Sequence, residues 1–177
     1  NENGYFSFYE SDRYGFNNPD IAWEGKKNFI IVGDSFAHGA CVNRPNDIAS
    51  VLRKISNTNV INLGYSGNDP LIEYASLREY APKNSGNIIF LFFEGNDLIN
   101  LDNKVLNPIL KKYLENSNFS QNLKNKQHKV DNLAEKKLNE MIENRNKFIK
   151  NNIKRNKIID FIKIYEVREL ILTRISN

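Results

Sequence analysis

Three short apolar segments, each followed by a polar turn that contains glycine, constrain the fold of this chain more than any other feature. The segments are residues 29–32, 60–63 and 88–93. They are short, continuous and rich in β-branched residues, which is typical of strands buried on both faces. Apolar residues recur at helical spacing in the stretches between them. This alternation predicts right-handed crossovers and a parallel sheet with helices on both faces.

The turns that follow these strands carry the residues of greatest chemical interest. They lie at residues 33–35, 64–67 and 94–97. Because the carboxyl ends of parallel strands meet at one edge of a sheet, we expect Ser35, Gly67 and Asn96 to lie close together. A hydroxyl nucleophile, an unobstructed backbone N–H and a carboxamide are the groups needed to hold a tetrahedral oxyanion. By itself, Asp34-Ser35 is equally well explained as a turn into the next helix.

The same three turns resemble the conserved blocks of the SGNH (GDSL-type) hydrolase superfamily. The first block is matched by Gly33–Phe36 and the second by Asn62–Gly67. The third is matched at Asn96-Asp97, with Glu94 where the family has a glycine and Gly95 beside it. The resemblance covers residues 28–102, with the order and spacing of the family.

The resemblance implies a three-layer α/β/α, flavodoxin-like parallel sheet and acyl-ester chemistry. In this interpretation Ser35 is the nucleophile, and the N–H groups of Ser35 and Gly67 together with the Asn96 amide hold the oxyanion. Asp34, His38 and Glu94 are assigned to substrate binding at the same edge. The alternative for Asp34 and for Glu94 is that each anchors its own turn by hydrogen bonding to the backbone.

One block of the family pattern is absent from this chain. Members carry Asp-x-x-His near the C-terminus, which supplies the general base and the carboxylate that orients it. The two histidines here, His38 and His128, both lack an aspartate three residues earlier. The resemblance therefore implies that the base lies after Asn177 and that the sheet is incomplete in this chain. The alternative is that His38, one helical turn after Ser35, acts as the base.

Two predicted helices and one short motif complete the prediction for the first half of the chain. Helices are predicted after residue 45, with Ile48, Val51, Leu52 and Ile55 on its apolar face, and from Pro70 to Tyr80. An Asp-x-x-Gly-Phe-x-Asn motif begins at Asp12. It resembles the segment that precedes the first strand (the lead-in) in some SGNH proteins, including ones associated with cell-envelope polysaccharides.

Charge divides the chain into two parts. Residues 1–103 contain 8 lysines and arginines against 13 aspartates and glutamates, whereas residues 104–177 contain 17 against 8. We predict an α/β core over residues 1–103 and a basic, helical segment over residues 104–177, within the same domain or inserted into it. The lysines of this segment alternate with asparagine and glutamate at helical spacing. This pattern favours a solvated helix face over a nucleic-acid surface.

The sequence predicts a serine esterase that acts on an ester, such as an O-acetyl group on carbohydrate, through a Ser35 acyl-enzyme. Three alternatives stay open: an O-acetyltransferase of cell-envelope polysaccharide, a catalytically silent SGNH-like domain that binds a ligand, and a plain flavodoxin-like binding domain. We expect no cofactor, no metal site and no nucleic-acid partner. No apolar run is long enough to span a bilayer, and both cell envelope and cytoplasm remain open as locations.

Overall fold

The computed structural model describes residues 7–95, residue 97 and residues 107–175, with side chains described as far as residue 152. The chain forms two compact units, Asn1–Gln127 and His128–Asn177. The domain boundary predicted at residue 103 lies outside the described residues, and so does Asn96.

The first unit contains a parallel sheet of three strands. They are β1 (Phe29–Gly33), β2 (Val60–Asn62) and β3 (Asn87–Leu91), in the order β2-β1-β3. Phe29 of β1 is paired with Val60 on one side and with Asn87 on the other. The α/β class and the parallel pairing predicted from the sequence are therefore confirmed, with β1 between its two neighbours.

Five α-helices accompany the sheet in the described part of the chain. They are α1 (Ser35–His38), α2 (Ile48–Ser56), α3 (Pro70–Tyr80), α4 (Pro108–Glu115) and α5 (Gln127–Ile175). Short 3-10 turns lie at Asp20–Trp23 and Lys124–Lys126. The side chains of Asp34, Asp47, Asp69 and Asn107 accept hydrogen bonds from the first backbone N–H groups of α1 to α4. Each of these helices thus begins where a side-chain oxygen satisfies N–H groups that lack a partner within the helix.

Apolar side chains pack on both faces of β1. Ile30 and Val32 belong to one core cluster, and Ile31 belongs to another. The first cluster also contains Phe16, Ala22, Trp23, Ile61, Leu63 and Tyr80, and the second contains Ala37, Ala49 and Val60. The alternation of the β1 side chains between two cores follows from the two-residue repeat of a strand.

The apolar face predicted for α2 is only partly buried. Ala49 is fully buried and Leu52 packs beside it, but Ile48, Val51 and Ile55 are exposed. The prediction was right for Leu52 and wrong for the three other residues, because the helix packs on the core through Ala49 and Leu52. The branched residues then lie on the outer side of the helix.

Polar contacts fasten α4 and the segment after it to α3. The Glu79 carboxylate accepts hydrogen bonds from the Tyr113 hydroxyl at 2.5 Å and from the backbone N–H groups of Gln121 and Leu123 at 2.7 and 2.8 Å. The neighbouring Arg78 guanidinium donates to four backbone carbonyl groups between residues 113 and 119. The basic segment predicted from residue 104 therefore begins with a portion that packs on the α/β unit.

Helix α5 forms most of the second unit. Its side chains between residues 131 and 151 are exposed to solvent. This exposure agrees with the predicted solvated face. Among the helices that the structure describes, none combines the length and the apolar character needed to cross a bilayer.

Glu79→Gln is expected to destabilise the first unit at pH 7 by about 2 kcal/mol. The reason is that an NH2 group, which cannot accept a hydrogen bond, replaces one of the two carboxylate oxygens that do. Burial alone would raise the pKa of Glu79, but the hydrogen bonds from Tyr113, Leu123 and Gln121 outweigh it and lower the pKa. A lowered pKa contributes stability above the ordinary glutamate pKa, and this contribution is lost as pH falls through the lowered value. Urea unfolding at pH 7 and pH 4 measures both effects.

The matched control for this variant is Glu115→Gln. Glu115 is exposed and its only described ion pair, with Lys111, spans 3.4 Å at the surface. We expect the control to change the free energy of unfolding by less than about 0.5 kcal/mol. Equal effects of the two variants at pH 7 would contradict the role given to Glu79.

Candidate functional site

Ser35 lies directly after β1, at the first position of α1. The Asp34 side chain accepts a hydrogen bond from the Phe36 N–H at 2.9 Å, and the Ser35 hydroxyl lies 3.5 Å from the other Asp34 oxygen. Ser35 is partly exposed. Within the described residues, its backbone N–H donates no hydrogen bond. Ser35 therefore presents a hydroxyl and, as far as the described residues show, an unpaired N–H donor near the end of the central strand.

A buried asparagine connects the end of β2 to α1. Asn62 is completely buried, and its side-chain amide donates to the Ala37 carbonyl at 2.6 Å and accepts from the Gly64 N–H at 2.8 Å. The backbone at Gly64 comes so close to α1 that a Cβ atom there would lie 2.7 Å from the backbone nitrogen of His38. The sequence therefore needs glycine at position 64 for β2 and α1 to meet.

The lead-in motif supports Asn62 from the other side. Asn18 accepts from the Asn62 N–H at 2.8 Å and donates to the Asn62 carbonyl at 2.9 Å. Asp12 accepts from the Asn18 amide and from the Trp23 indole, both at 2.7 Å. The Asp-x-x-Gly-Phe-x-Asn motif thus builds a buried polar network behind β2.

The turn after β2 contains the predicted oxyanion glycine. The Asn68 N–H donates to the Tyr65 carbonyl at 3.1 Å, and Gly67 has a φ of +85°. This positive φ at the third position is typical of a type II turn and favours glycine. The Gly67 N–H has no hydrogen-bond partner among the described residues. Because the Tyr65 N–H also donates to the Gly33 carbonyl at 3.2 Å, the turn lies beside the end of β1.

The turn after β3 is described only in part. The Asp97 carboxylate accepts from the Phe93 N–H at 2.6 Å, and the Asp97 N–H donates to the Phe93 carbonyl at 3.1 Å. Glu94 is exposed and makes no described side-chain hydrogen bond, so neither predicted role for it is tested. The structure thus brings Ser35 and the Gly67 turn to one edge, whereas the third predicted member, Asn96, is not described.

His38 faces the Gly67 turn. It is 7% exposed, and its Nδ1 atom lies 2.8 Å from the Ser66 hydroxyl and accepts from the Ser66 N–H at 3.3 Å. Burial lowers the pKa of His38, which favours the neutral imidazole. No described contact joins His38 to Ser35, so the alternative of His38 as the base gains no support from hydrogen bonding.

Glu73 is a buried carboxyl group that the sequence reasoning missed. It is completely buried, and neither carboxyl oxygen has a hydrogen-bond partner among the described residues. Burial raises the pKa of Glu73 to about 7, with smaller contributions from Asp97, Asp34 and Asp69. The sequence signal for its burial is weak: Glu73 lies in α3 two residues from Leu71 and from Ala75, which are both buried. Glu73 is therefore mostly neutral at pH 6 and mostly charged at pH 8.

Two open cavities flank the start of α1. One, of about 420 Å³, is lined by Ser35, Phe36 and the loop around Val42. The other, of about 550 Å³, is lined mainly by apolar side chains. These are Phe36, Ile48, Phe90, Leu91, Phe92 and Phe93, together with Asp34. Phe36 and Ile48 border both cavities, and Ser35 itself lines the first of them.

Several other positioning residues were not predicted. Asn62 and Ser66 were read only as parts of a family block, and Asn18 only as part of a lead-in. The sequence signal for Asn62 is its place directly after the apolar Val60 and Ile61, which puts an amide in a buried strand. A buried amide needs hydrogen-bond partners, so this position indicates a residue that joins two segments. Among the described residues, no group of histidine, cysteine, aspartate and glutamate side chains has a geometry that could hold a metal ion.

Asn62→Leu is expected to lower the free energy of unfolding by at least about 2 kcal/mol, because the Ala37 carbonyl and the Gly64 N–H lose buried partners. Chemical denaturation measures the change. Asn59→Leu is the matched control, since Asn59 lies near the start of β2 and donates one exposed hydrogen bond to the Glu24 carbonyl. A loss in Asn62→Leu no larger than in the control would contradict the network described above.

Glu73→Gln is expected to make the protein more stable at pH 8, by up to about 3 kcal/mol, and to change little at pH 5. The raised pKa means that the Glu73 contribution is complete below the ordinary glutamate pKa and is lost as pH rises through about 7. Thermal unfolding across this pH range measures the difference. Glu10→Gln, at an exposed position, provides the control. A Glu73→Gln effect that does not vary between pH 5 and pH 8 would contradict the burial of an ionisable carboxyl group.

Comparisons with protein-family models, curated proteins and solved structures return no match for this chain. The resemblance to the SGNH superfamily therefore stays a prediction from the sequence motifs at Gly33–Phe36, Asn62–Gly67 and Asn96-Asp97.

Proposed function

We propose that this chain is a serine esterase of the SGNH type, in which Ser35 forms an acyl-enzyme with an ester substrate. What supports the proposal is that Ser35, after β1, and the Gly67 turn, after β2, lie at the same edge of the sheet, and that the backbone N–H groups of both residues have no hydrogen-bond partner among the described residues. Two such N–H groups can donate hydrogen bonds to the developing oxyanion without rearranging. One donor of this kind lowers the reaction barrier by roughly 3–4 kcal/mol.

The proposed reaction proceeds in two halves. The Ser35 oxygen attacks the ester carbonyl carbon while a base takes the hydroxyl proton, and the carbonyl oxygen becomes an oxyanion near the N–H groups of Ser35 and Gly67. Collapse of this intermediate breaks the bond to the alcohol, which leaves with a proton. Water then attacks the acyl-enzyme in the same manner and releases the carboxylic acid. We assign the Asn96 amide as a third oxyanion donor on the basis of the sequence pattern.

The proposal includes the fold that goes with this chemistry. We infer that the three described strands are part of a three-layer α/β/α, flavodoxin-like sheet. The two apolar clusters on opposite faces of β1 support this inference. Exposed apolar side chains on β3, among them Ile88 and Phe90, support a sheet that is incomplete within the described strands.

Substrate binding is proposed at the groove beside Ser35. Phe36 and Ile48 border both cavities, and they offer apolar contact to the acyl side of an ester. An O-acetyl group on carbohydrate remains the favoured substrate on sequence grounds. Transfer of the acyl group to a sugar hydroxyl, as in an O-acetyltransferase, shares the first half of the reaction and differs only in what attacks the acyl-enzyme.

One observation favours a second candidate, a catalytically silent SGNH-like domain that binds an ester or glycan ligand. The Ser35 hydroxyl has one described polar neighbour, the Asp34 carboxylate at 3.5 Å, and no described histidine is hydrogen-bonded to it. A serine hydroxyl without a base is a weak nucleophile. The two candidates therefore differ in whether a base reaches Ser35.

Covalent labelling separates the candidates. We expect a fluorophosphonate probe to modify the protein at Ser35, as located by peptide mass spectrometry, and we expect Ser35→Ala to abolish the label. Ser76→Ala, on α3, is the matched control and should be labelled like the wild type. Absence of label in the wild-type protein, with binding of an acetylated glycan retained, would instead support the silent domain.

A further inference from the structure

The imidazole ring of His38 is held in one orientation by two tyrosines. Tyr65 stacks on it with ring centroids 5.0 Å apart and an interplanar angle of 18°. Tyr9 meets it edge-on, with centroids 4.9 Å apart and an angle of 84°. In addition, the Asn17 side-chain amide donates to the His38 carbonyl at 2.8 Å. Both the ring and the backbone of His38 are therefore fixed at the end of α1.

The hydrogen bonds to this ring favour one tautomer. A backbone N–H can only donate, so the Ser66 N–H at 3.3 Å favours an Nδ1 atom that presents its lone pair. In that tautomer the Ser66 hydroxyl, 2.8 Å from the same atom, donates as well. The proton of the neutral ring is then on Nε2, which is buried and has no partner among the described residues. Burial lowers the pKa of His38, which favours the neutral form of the ring.

Ser66 is the residue immediately before Gly67 in the type II turn. Its N–H and hydroxyl both bind His38, and the turn is closed by the bond from Asn68 to Tyr65. The peptide group between Ser66 and Gly67 carries the Gly67 N–H. Fixing Ser66 on both its backbone and its side chain therefore fixes the direction in which that N–H points.

We propose that His38 is a positioning residue: its neutral Nδ1 atom holds Ser66 so that the Gly67 N–H faces the carbonyl oxygen of an ester attacked by Ser35. This inference rests on the proposed function of Ser35. It gives His38 a role different from the substrate-binding role expected from the sequence and from that of a general base. The contact acts between the ends of β1 and β2, and it sets the distance between nucleophile and donor.

Two variants of the full chain separate the hydrogen bond from the ring. His38→Phe keeps an aromatic ring between Tyr9 and Tyr65 but has no acceptor. His38→Asn loses the ring but places an amide oxygen near the position of Nδ1. Nitrogen NMR of the wild-type ring, amide exchange at Ser66 and Gly67, and the rate of fluorophosphonate labelling of Ser35 are the three measurements.

We expect an unprotonated Nδ1 and a protonated Nε2 in the wild type at pH 7. His38→Phe should accelerate amide exchange at Ser66, shift the Gly67 amide resonance and slow labelling by about tenfold or more. His38→Asn should restore labelling to within a few-fold of wild type. If His38→Phe does not fold, Ser66→Ala, which removes only the hydroxyl donor, should still slow labelling relative to wild type.

Three results would overturn the inference: a protonated Nδ1 in the wild type, unchanged amides of residues 66 and 67 in His38→Phe, or labelling of that variant at the wild-type rate. Where His38→Phe does not fold, labelling of Ser66→Ala at the wild-type rate would overturn it as well. Failure of the proposed function looks different. The wild-type protein would then be unlabelled at Ser35 although its spectrum shows the Nδ1 acceptor, and the functional role of His38 would fall with it.

Discussion

The completely buried amide of Asn62 is the constraint on which the candidate site depends. An amide removed from water costs free energy unless its donor and its acceptor both find partners. Asn62 satisfies this requirement through Ala37 in α1 and through Gly64 at the start of the next turn. One side chain thereby joins the segment that carries Ser35 to the segment that carries Gly67. The same requirement makes the geometry specific, because a shift of either segment would leave a buried polar group unpaired.

Two carboxylates at this edge of the sheet accept hydrogen bonds from backbone N–H groups. The Asp34 carboxylate accepts from the Phe36 N–H, and the Asp97 carboxylate accepts from the Phe93 N–H. Both carboxylates thus stabilise turns, whereas the N–H groups of Ser35 and Gly67 have no hydrogen-bond partner in the part of the chain that the structure describes. Glu73 adds a carboxyl group that burial keeps neutral below about pH 7.

The parts of the fold that could be predicted from sequence are those set by local patterns. The apolar runs predicted the three strands, and Asp69-Pro70 predicted the start of α3, because strand formation and helix capping depend on neighbouring residues. The predicted burial on both faces holds for β1 and β2, whereas Ile88 and Phe90 of β3 are exposed among the described residues. The orientation of α2 could not be predicted, since Ala49 rather than Val51 faces the sheet. The contacts between His38 and Ser66, or between Asn18 and Asn62, join residues far apart in sequence, so no local pattern reports them. For the candidate site, residue types at strand ends predicted Ser35 and Gly67 at one edge of the sheet, but not the side chains that position them.

The proposed function requires that the ends of β1 and β2 place the Ser35 oxygen near backbone N–H groups that can bind an oxyanion. A crystal structure of the protein after reaction with a small phosphonylating reagent would show this arrangement. We expect a phosphorus atom bonded to the Ser35 oxygen, with its phosphoryl oxygen about 3 Å from the N–H nitrogens of Ser35 and Gly67. An adduct whose phosphoryl oxygen points to solvent, away from both nitrogens, would contradict the proposed function.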